Sequence, residues 1–325
     1  MLASYLRRML FLNSAFALLL AGWGVAYAHW PWWLCLALPV VWPFGTTAIS
    51  ILASTLQSRA SGVPWGTWWA SVWGEYRASV HFFLLRQPWA GPAPGLLAAS
   101  AVQTTRLRKP PIVLVHGYVC NHRMWDTMGA ELRAQGHSVI AVDLEPVFTS
   151  IEDYAPTIEA AVQTALIADA ANPNPGSGKV VLIGHSMGGL AIRAWMRAQG
   201  EADTLARVAQ VITLGTPHAG TRLGTPKLAI TPNSAQMVWQ SDYVKTLEKQ
   251  EPASVRSLLR IAVTAQDNIV FPQLAQTVHG IVPTVFTGIG HLQMCRHQAV
   301  TEWVLAHLMQ LAVPQPVNAE VWHKA

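Results

Sequence analysis

The 325-residue chain is 51% hydrophobic and only 12% charged, with a net charge of +5. So modest a basic excess, with no basic tract interleaved with aromatics, excludes a nucleic-acid partner and is most economically assigned to attraction toward anionic lipid headgroups. Three cysteines build no disulfide framework, and no internal repeat or low-complexity tract occurs beyond Pro/Gly linkers.

The first predicted elements are apolar. Met9 to Ala28 contains no charge and comes after Arg7 and Arg8, a span long enough to cross a bilayer as a helix. After His29-Trp30-Pro31, a second uncharged stretch runs from Trp32 to about Leu56, with Trp30, Trp32, Trp33 and Trp42 suited to the interface. Pro39 and Pro43 weaken it. Ala26-Tyr27-Ala28 also fits a signal-peptidase site, so a cleaved leader is the rival reading, although the second long apolar stretch argues against simple secretion. The expectation is a membrane anchor over residues 1–58, formed by two transmembrane helices. If both segments span, Arg7, Arg8 and Arg59 place both flanks on the cytoplasmic side. Failure of the second segment to span would deliver the downstream domain to the periplasm.

Residues 59–109 read as a Trp-rich helix and linker. Trp65, Trp68, Trp69, Val72, Trp73, Tyr76, Val80, Phe83 and Leu84 recur at three- and four-residue steps, whereas Thr67, Ser71, Glu75, Ser79 and His81 fall elsewhere. Such a stripe suits a helix lying in the membrane interface or, equally, a core-packed helix bridging the anchor and the main domain. Gly91-Pro92-Ala93-Pro94-Gly95 and the basic cluster Arg106, Arg108 and Lys109 then lead onward.

About 200 residues remain for a single α/β domain over 110–312, before a tail at 313–325. Pro111 to Val115 reads as a buried strand running into His116-Gly117-Tyr118, where glycine permits a turn that aims backbone N–H groups outward. His116 suits bracing that loop. His137 to Val142 is the next strand, and Asp143 at its end reads as a loop-former. Gly176-Ser177-Gly178-Lys179 precedes a strand instead of coming after one, so it is a turn and not a phosphate loop.

The strand Lys179 to Ile183 enters Gly184-His185-Ser186-Met187-Gly188, a G-x-S-x-G pattern, and then the helical stretch Leu190 to Trp195. A sharp strand-to-helix turn of this kind holds a serine hydroxyl clear of the backbone as a nucleophile. A serine alone is weak, so the pattern requires a base, an orienting acid and an oxyanion hole. Asp267 lies just past the strand Arg260 to Ala265, and His291 lies in the Gly-bracketed loop after Pro283 to Thr287. The chain order Ser186, Asp267, His291 is that of nucleophile-elbow enzymes. Backbone N–H groups of Tyr118 and Met187 are the candidate oxyanion donors. His218 reads as a packing residue, His185 occupies the variable elbow position, and the other histidines lack zinc-ligand spacing.

These segments resemble the α/β-hydrolase fold, and within it the bacterial triacylglycerol lipase and esterase group, over about residues 110 to 310. The resemblance rests on Val115-His116-Gly117-Tyr118, on Gly184 to Gly189, on Thr213-Leu214-Gly215-Thr216-Pro217-His218-Ala219-Gly220-Thr221, on Asp267 with Val270 and Pro272, and on Gly290-His291. It implies an α/β-hydrolase fold of mostly parallel sheet flanked by helices, with nucleophile Ser186, acid Asp267, base His291, and oxyanion N–H groups from Tyr118 and Met187. Some secreted relatives hold a structural calcium; the acidic cluster for it is missing, so no metal is expected, and no organic cofactor is needed.

The expected activity is that of a membrane-anchored serine carboxylester hydrolase: a lipase, an esterase or a phospholipase. Its partners would be a lipid or ester substrate and membrane lipids, and its place an inner membrane with a cytoplasm-facing domain. A thioesterase or acyltransferase would use the same residues, and a non-catalytic scaffold would not require them. The insertion at about 222–258, with helical stretches Ser234 to Gln240 and Tyr243 to Lys249, suits a lid whose Met237, Val238, Trp239 and Leu247 gate an acyl pocket; an ordinary surface excursion is the plainer alternative. Cys120 and Cys295 fall near the oxyanion and histidine loops, and would stay thiols in a reducing compartment.

Overall fold

The computed structural model describes residues 1–100, 107–172, 178–223, 229–311 and 313–314. At its centre is a seven-stranded sheet built from β1 (Leu96–Leu97), β2 (Ile112–Val115), β3 (Val139–Ala141), β4 (Val180–His185), β5 (Val208–Leu214), β6 (Leu259–Thr264) and β7 (Thr284–Phe286). Its strand order is β1-β3-β2-β4-β5-β6-β7, all neighbours being parallel except β1, which runs antiparallel to β3. Helices cover both faces, as a parallel sheet requires, and so β2, and β4 up to its final His185, are short runs of buried apolar or small residues.

Alternation then sorts the side chains. Val113, Val115 and Leu182 point into a core shared with α5 (Ala155–Ala170) and α6 (Met187–Gln199). Ile112, Leu114, Val181 and Ile183 point into the opposite core, shared with α4 (Asp126–Ala134) and α11 (Gln298–Met309). The loops that leave β2, β4, β6 and β7 all emerge at the carboxyl ends of parallel strands, the place where a doubly wound sheet presents its ligand crevice.

Ahead of the sheet, α1 (Leu2–Ala28) and α2 (Trp32–Gln57) are two helices long and apolar enough to cross a membrane. Only 17% and 11% of their most apolar stretches are buried, unlike core helices. They form an antiparallel hairpin. His29 turns left-handed at φ 54°, the Trp30 N–H returns to the Gly24 carbonyl at 3.0 Å, and the Trp30 ring takes the space a side chain at position 24 would need. Pro39 and Pro43 sit within α2 without ending it. The far ends of the hairpin return to the main domain: the Met1 ammonium and Leu2 N–H meet the Glu145 carboxylate, and Arg7 donates to the Pro88 carbonyl at 2.7 Å.

The Trp-rich helix α3 (Trp65–Ser79), continued by a wide π turn over Val80–Arg86, differs from the stripe expected of it. The face it buries against the domain carries Ser71, Glu75 and Ser79, exposed by only 1%, 0% and 2%. Trp65, Trp69 and Trp73, four residues apart, are 58%, 53% and 60% exposed. Trp68 and Val72 pack between, on Ile51 of α2. The helix therefore bridges the apolar hairpin and the main domain, and its outer face is aromatic.

Helix α7 (Glu201–Arg207) leads into β5, and the insertion after β5 contains α8 (Pro232–Gln236), α9 (Asp242–Gln250) and α10 (Ala253–Arg256). Val244 and Leu247 of α9 belong to the main core beside α6, whereas Trp239 stays partly exposed under Arg222, whose guanidinium lies 5.3 Å from its ring centre. Of the turn at 176–179, Gly176 and Ser177 lie outside the described residues, as does nearly all of the tail.

Candidate active site

Ser186 directly follows β4 and caps α6 with φ 53° and ψ −128°, a left-handed conformation that a non-glycine residue adopts only when its surroundings enforce it. The surroundings do so by close approach. A Cβ at Gly184 would stand 2.6 Å from the Gly189 nitrogen, one at Gly188 would enter the Val115 and His116 carbonyls, and one at Gly117 would stand 2.8 Å from the Ser186 Cβ. The Ser186 N–H donates to the Leu214 carbonyl at 2.9 Å, tying the elbow to β5.

His291 and Asp267, 24 positions apart in sequence, are joined by His291 Nδ1–H donating to Asp267 Oδ2 at 2.8 Å, with both side chains buried. Nε2 is thereby left as the nitrogen that can accept a proton. Asp267 is itself fixed, because its Oδ1 accepts from the N–H groups of Ile269 at 2.9 Å and Val270 at 2.6 Å. Burial works against the charged imidazole, but Asp267 and then Glu75 outweigh it, and the His291 pKa is raised. Gly215, at φ 57°, passes so close that a Cβ there would lie 3.1 Å from His291 Nδ1 and 3.3 Å from Asp267 Oδ2.

Met187 is the first residue of α6, where backbone N–H groups have no partner inside the helix. Tyr118 lies in the turn after β2, its ring edge-on to Phe148 with centroids 5.9 Å apart and its hydroxyl 3.3 Å from Thr231 Oγ1. His116 braces this turn: its Nδ1–H donates to the Gly117 carbonyl at 2.8 Å and its Nε2 accepts from Leu144 N–H at 2.9 Å. Both bonds need the neutral ring, which burial also favours. Asp143 accepts from the His122 backbone N–H at 2.7 Å and from its ring at 3.0 Å, organising the neighbouring loop.

His218 is neutral as well, burial and then the Arg193 charge holding its pKa well down. It takes a hydrogen bond from Arg193 at 3.3 Å while its Nε2 meets Thr213 Oγ1 at 3.0 Å, and Arg193 makes two 3.0 Å bonds to Glu251. Cys120 and Cys295 are free and buried in the same core, burial pushing the Cys120 thiol up to about 12.

Two contacts at the site are not foreseen from the sequence. His185 Nε2–H donates to the His291 carbonyl at 3.1 Å, so the variable position of the elbow touches the histidine loop directly. Glu75 of α3 accepts from Leu292 and Gln293 on the same loop. A signal for Glu75 is present, since it is the only acidic residue before Asp126.

A model of the Alpha/beta hydrolase family matches residues 112–321. Among curated proteins, GPI inositol-deacylase of the fungus Phaeosphaeria nodorum is 29% identical over 134 residues, 37% of this chain and 12% of its own length. The protein of that name from Coccidioides immitis is 30% identical over 135 residues, 38% and 11% respectively. The match thus covers about an eighth of the length of these relatives. Among solved structures, Bacillus licheniformis lipase BlEst2 in its mature form superposes with a TM-score of 0.53 at 17% identity, covering 67% of this chain and 99% of that one. Aspergillus fumigatus lipase B gives 0.52 at 14% identity, over 70% and 58%. These structures share the fold, and because the family model extends from the first long strand to beyond the last helix, more than half the sequence, the chain belongs to the alpha/beta hydrolase family.

Proposed function

We propose that this hydrolase is a membrane-anchored serine carboxylester hydrolase acting on lipid esters. The observation that carries the reading is the left-handed Ser186 at the strand-to-helix elbow, next to a loop whose His291 is bonded to a buried Asp267. His291 Nε2 takes the proton from Ser186 Oγ as the serine attacks the ester carbonyl, and Asp267 holds the tautomer and offsets the imidazolium charge. The N–H groups of Tyr118 and Met187 receive the oxyanion. The alcohol leaves with the proton from His291, and water then attacks the acyl-enzyme by the same route in reverse. Loss of one oxyanion donor in such a site costs about 100- to 1,000-fold in rate.

Membrane attachment is supported by the exposed apolar surface of α1 and α2 and by the outer tryptophans of α3. Arg7, Arg8 and Arg59 lie at the hairpin ends that meet the domain, so by the positive-inside rule the domain faces the cytoplasmic side. The relatives' name, inositol-deacylase, describes removal of an acyl group, which fits an acyl-enzyme route.

The test is ester hydrolysis by detergent-purified protein over short- and long-chain p-nitrophenyl esters, beside Ser186→Ala and with a fluorophosphonate probe. Turnover and labelling that vanish in the variant support the reading; folded protein with neither refutes it. Supplying alcohol or thiol acceptors and analysing products separates hydrolysis from acyl transfer.

A further inference from the structure

The first 125 residues contain one carboxylate side chain, Glu75, in a segment whose other charges are arginines and Lys109. It is fully buried, and among the described residues no lysine or arginine pairs with it. Both oxygens are instead aimed at the loop of the candidate base: Leu292 N–H donates to Oε1 at 3.0 Å and Gln293 N–H to Oε2 at 3.1 Å. These are the first N–H groups of the short helical turn Leu292–Cys295 that His291 caps, groups with no partner inside the turn.

The approach is tight on both sides. A Cβ at Gly290 would run into the Glu75 carboxylate, and one at Gly74 into the side-chain amide of Gln293, which in turn accepts from Gly290 N–H at 3.1 Å. Nearby residues of the same segment hold the other loops. Gln87 accepts from Asn121 N–H at 2.7 Å and from its side-chain amide at 3.0 Å, just past the Tyr118 turn. The Ser58 carbonyl accepts from Gln273, which also donates to the Asp267 carbonyl, both at 2.9 Å.

A neutral acceptor could cap two N–H groups without the cost of burying a charge. A carboxylate adds something that a neutral group lacks: it favours the imidazolium that His291 becomes when it takes the serine proton. We propose that Glu75 is a positioning residue for His291, fixing the base loop against Asp267 and Ser186 from the N-terminal segment and thereby making α3 part of the catalytic apparatus. The proposal rests on the serine-hydrolase reading above. Burial lifts the Glu75 carboxyl to about 7, with His291 and the two N–H groups opposing it and Asp267 reinforcing it. The titratable groups that face Glu75 are thus His291 and Asp267, together with the thiols of Cys120 and Cys295, which burial keeps protonated.

The experiment uses the full chain in detergent, with wild type, Glu75→Gln and Glu75→Asp compared on a short p-nitrophenyl ester from pH 5 to 9. Active sites are titrated with a fluorophosphonate. Glu75→Gln is expected to lower kcat per titrated site by about tenfold or more, leave KM within about twofold, and move the acid limb of kcat/KM to lower pH. Glu75→Asp, which keeps the charge but withdraws it, should retain the limb and part of the kcat. Wild-type kcat and limb in Glu75→Gln overturn the proposal. So does a loss expressed only as fewer titratable sites, which is the mark of a merely structural cap. If Glu75→Gln does not fold, unchanged kcat in Glu75→Asp overturns it equally. A folded wild type that neither labels nor turns over ester removes the hydrolase reading and this proposal with it, whereas a labelled wild type beside indifferent Glu75 variants removes only the latter.

Discussion

The side-chain amide of Asn268 donates to the Ser54 hydroxyl at 2.9 Å, joining the residue after the candidate catalytic acid to the second apolar helix across 214 positions of sequence. Asn268 also offers its Oδ1 to His291 N–H at 3.4 Å. Replacing Asn268 by Ala removes both contacts and leaves the His291 N–H without this acceptor. The expected cost is about 1–3 kcal/mol of stability together with a fall in kcat. Thermal unfolding in detergent, run beside ester kinetics, checks both; an unchanged melting temperature and rate would show the link to be idle.

In the proposed mechanism His291 must be neutral to accept the serine proton, and its pKa is raised in the fold. Turnover should therefore fall as pH drops through a value above that of an ordinary imidazole. The stability contribution has the opposite course: it is fully present below the unfolded pKa and is lost as pH rises through the folded one. Asp267→Asn should shift the acid limb of kcat/KM downward and reduce kcat by roughly 10⁴-fold. A pH–rate profile of both proteins reads the two effects.

Arg193 and Glu251 form a buried ion pair with both oxygens engaged, and Arg193 also holds neutral His218. Glu251→Ala strands a buried guanidinium. A loss of about 3–5 kcal/mol is expected, because an unpaired buried charge keeps its desolvation penalty and loses its compensation. Chemical unfolding of the variant measures it, and a loss below about 1 kcal/mol would mean that solvent reaches the site.

Gly188 faces backbone, with the Val115 and His116 carbonyls where a methyl group would go. Neither can rotate aside. Gly188→Ala should destabilise the fold by about 1–3 kcal/mol or more and abolish fluorophosphonate labelling, since β2 and the elbow must separate. Full labelling at normal stability would refute the packing argument.

Trp65, Trp69 and Trp73 form the outer face of α3. Changing all three to Ser is expected to leave turnover of a soluble short-chain ester unaltered while lowering turnover on phospholipid vesicles, because indole rings favour the interface. Equal loss on both substrates would assign those rings to the fold and not to the membrane.

Much of the architecture is legible in the chain itself. Strands such as Ile112–Val115 and Val180–His185 are nearly continuous apolar runs because both faces of a parallel sheet are covered, and their ends announce where loops with chemistry begin. Gly184-His185-Ser186-Met187-Gly188 is readable because a strained turn leaves few residue choices. The orientation of α3 is not. Periodicity divides a helix into an apolar and a polar stripe but does not say which faces protein, and here the polar stripe is buried because it meets a loop with unpaired N–H groups.

By itself, then, the sequence determined the local elements, the family, and Ser186, Asp267 and His291 as candidates, since each comes from short-range pattern and chain order. Only the tertiary structure decided that His291 Nδ1 meets Asp267 Oδ2 at 2.8 Å, and that Ser54, Ser58, Glu75 and Gln87 reach the loops around them. Those are contacts between segments up to 218 positions apart, and no local periodicity encodes which polar side chain will satisfy a distant backbone group.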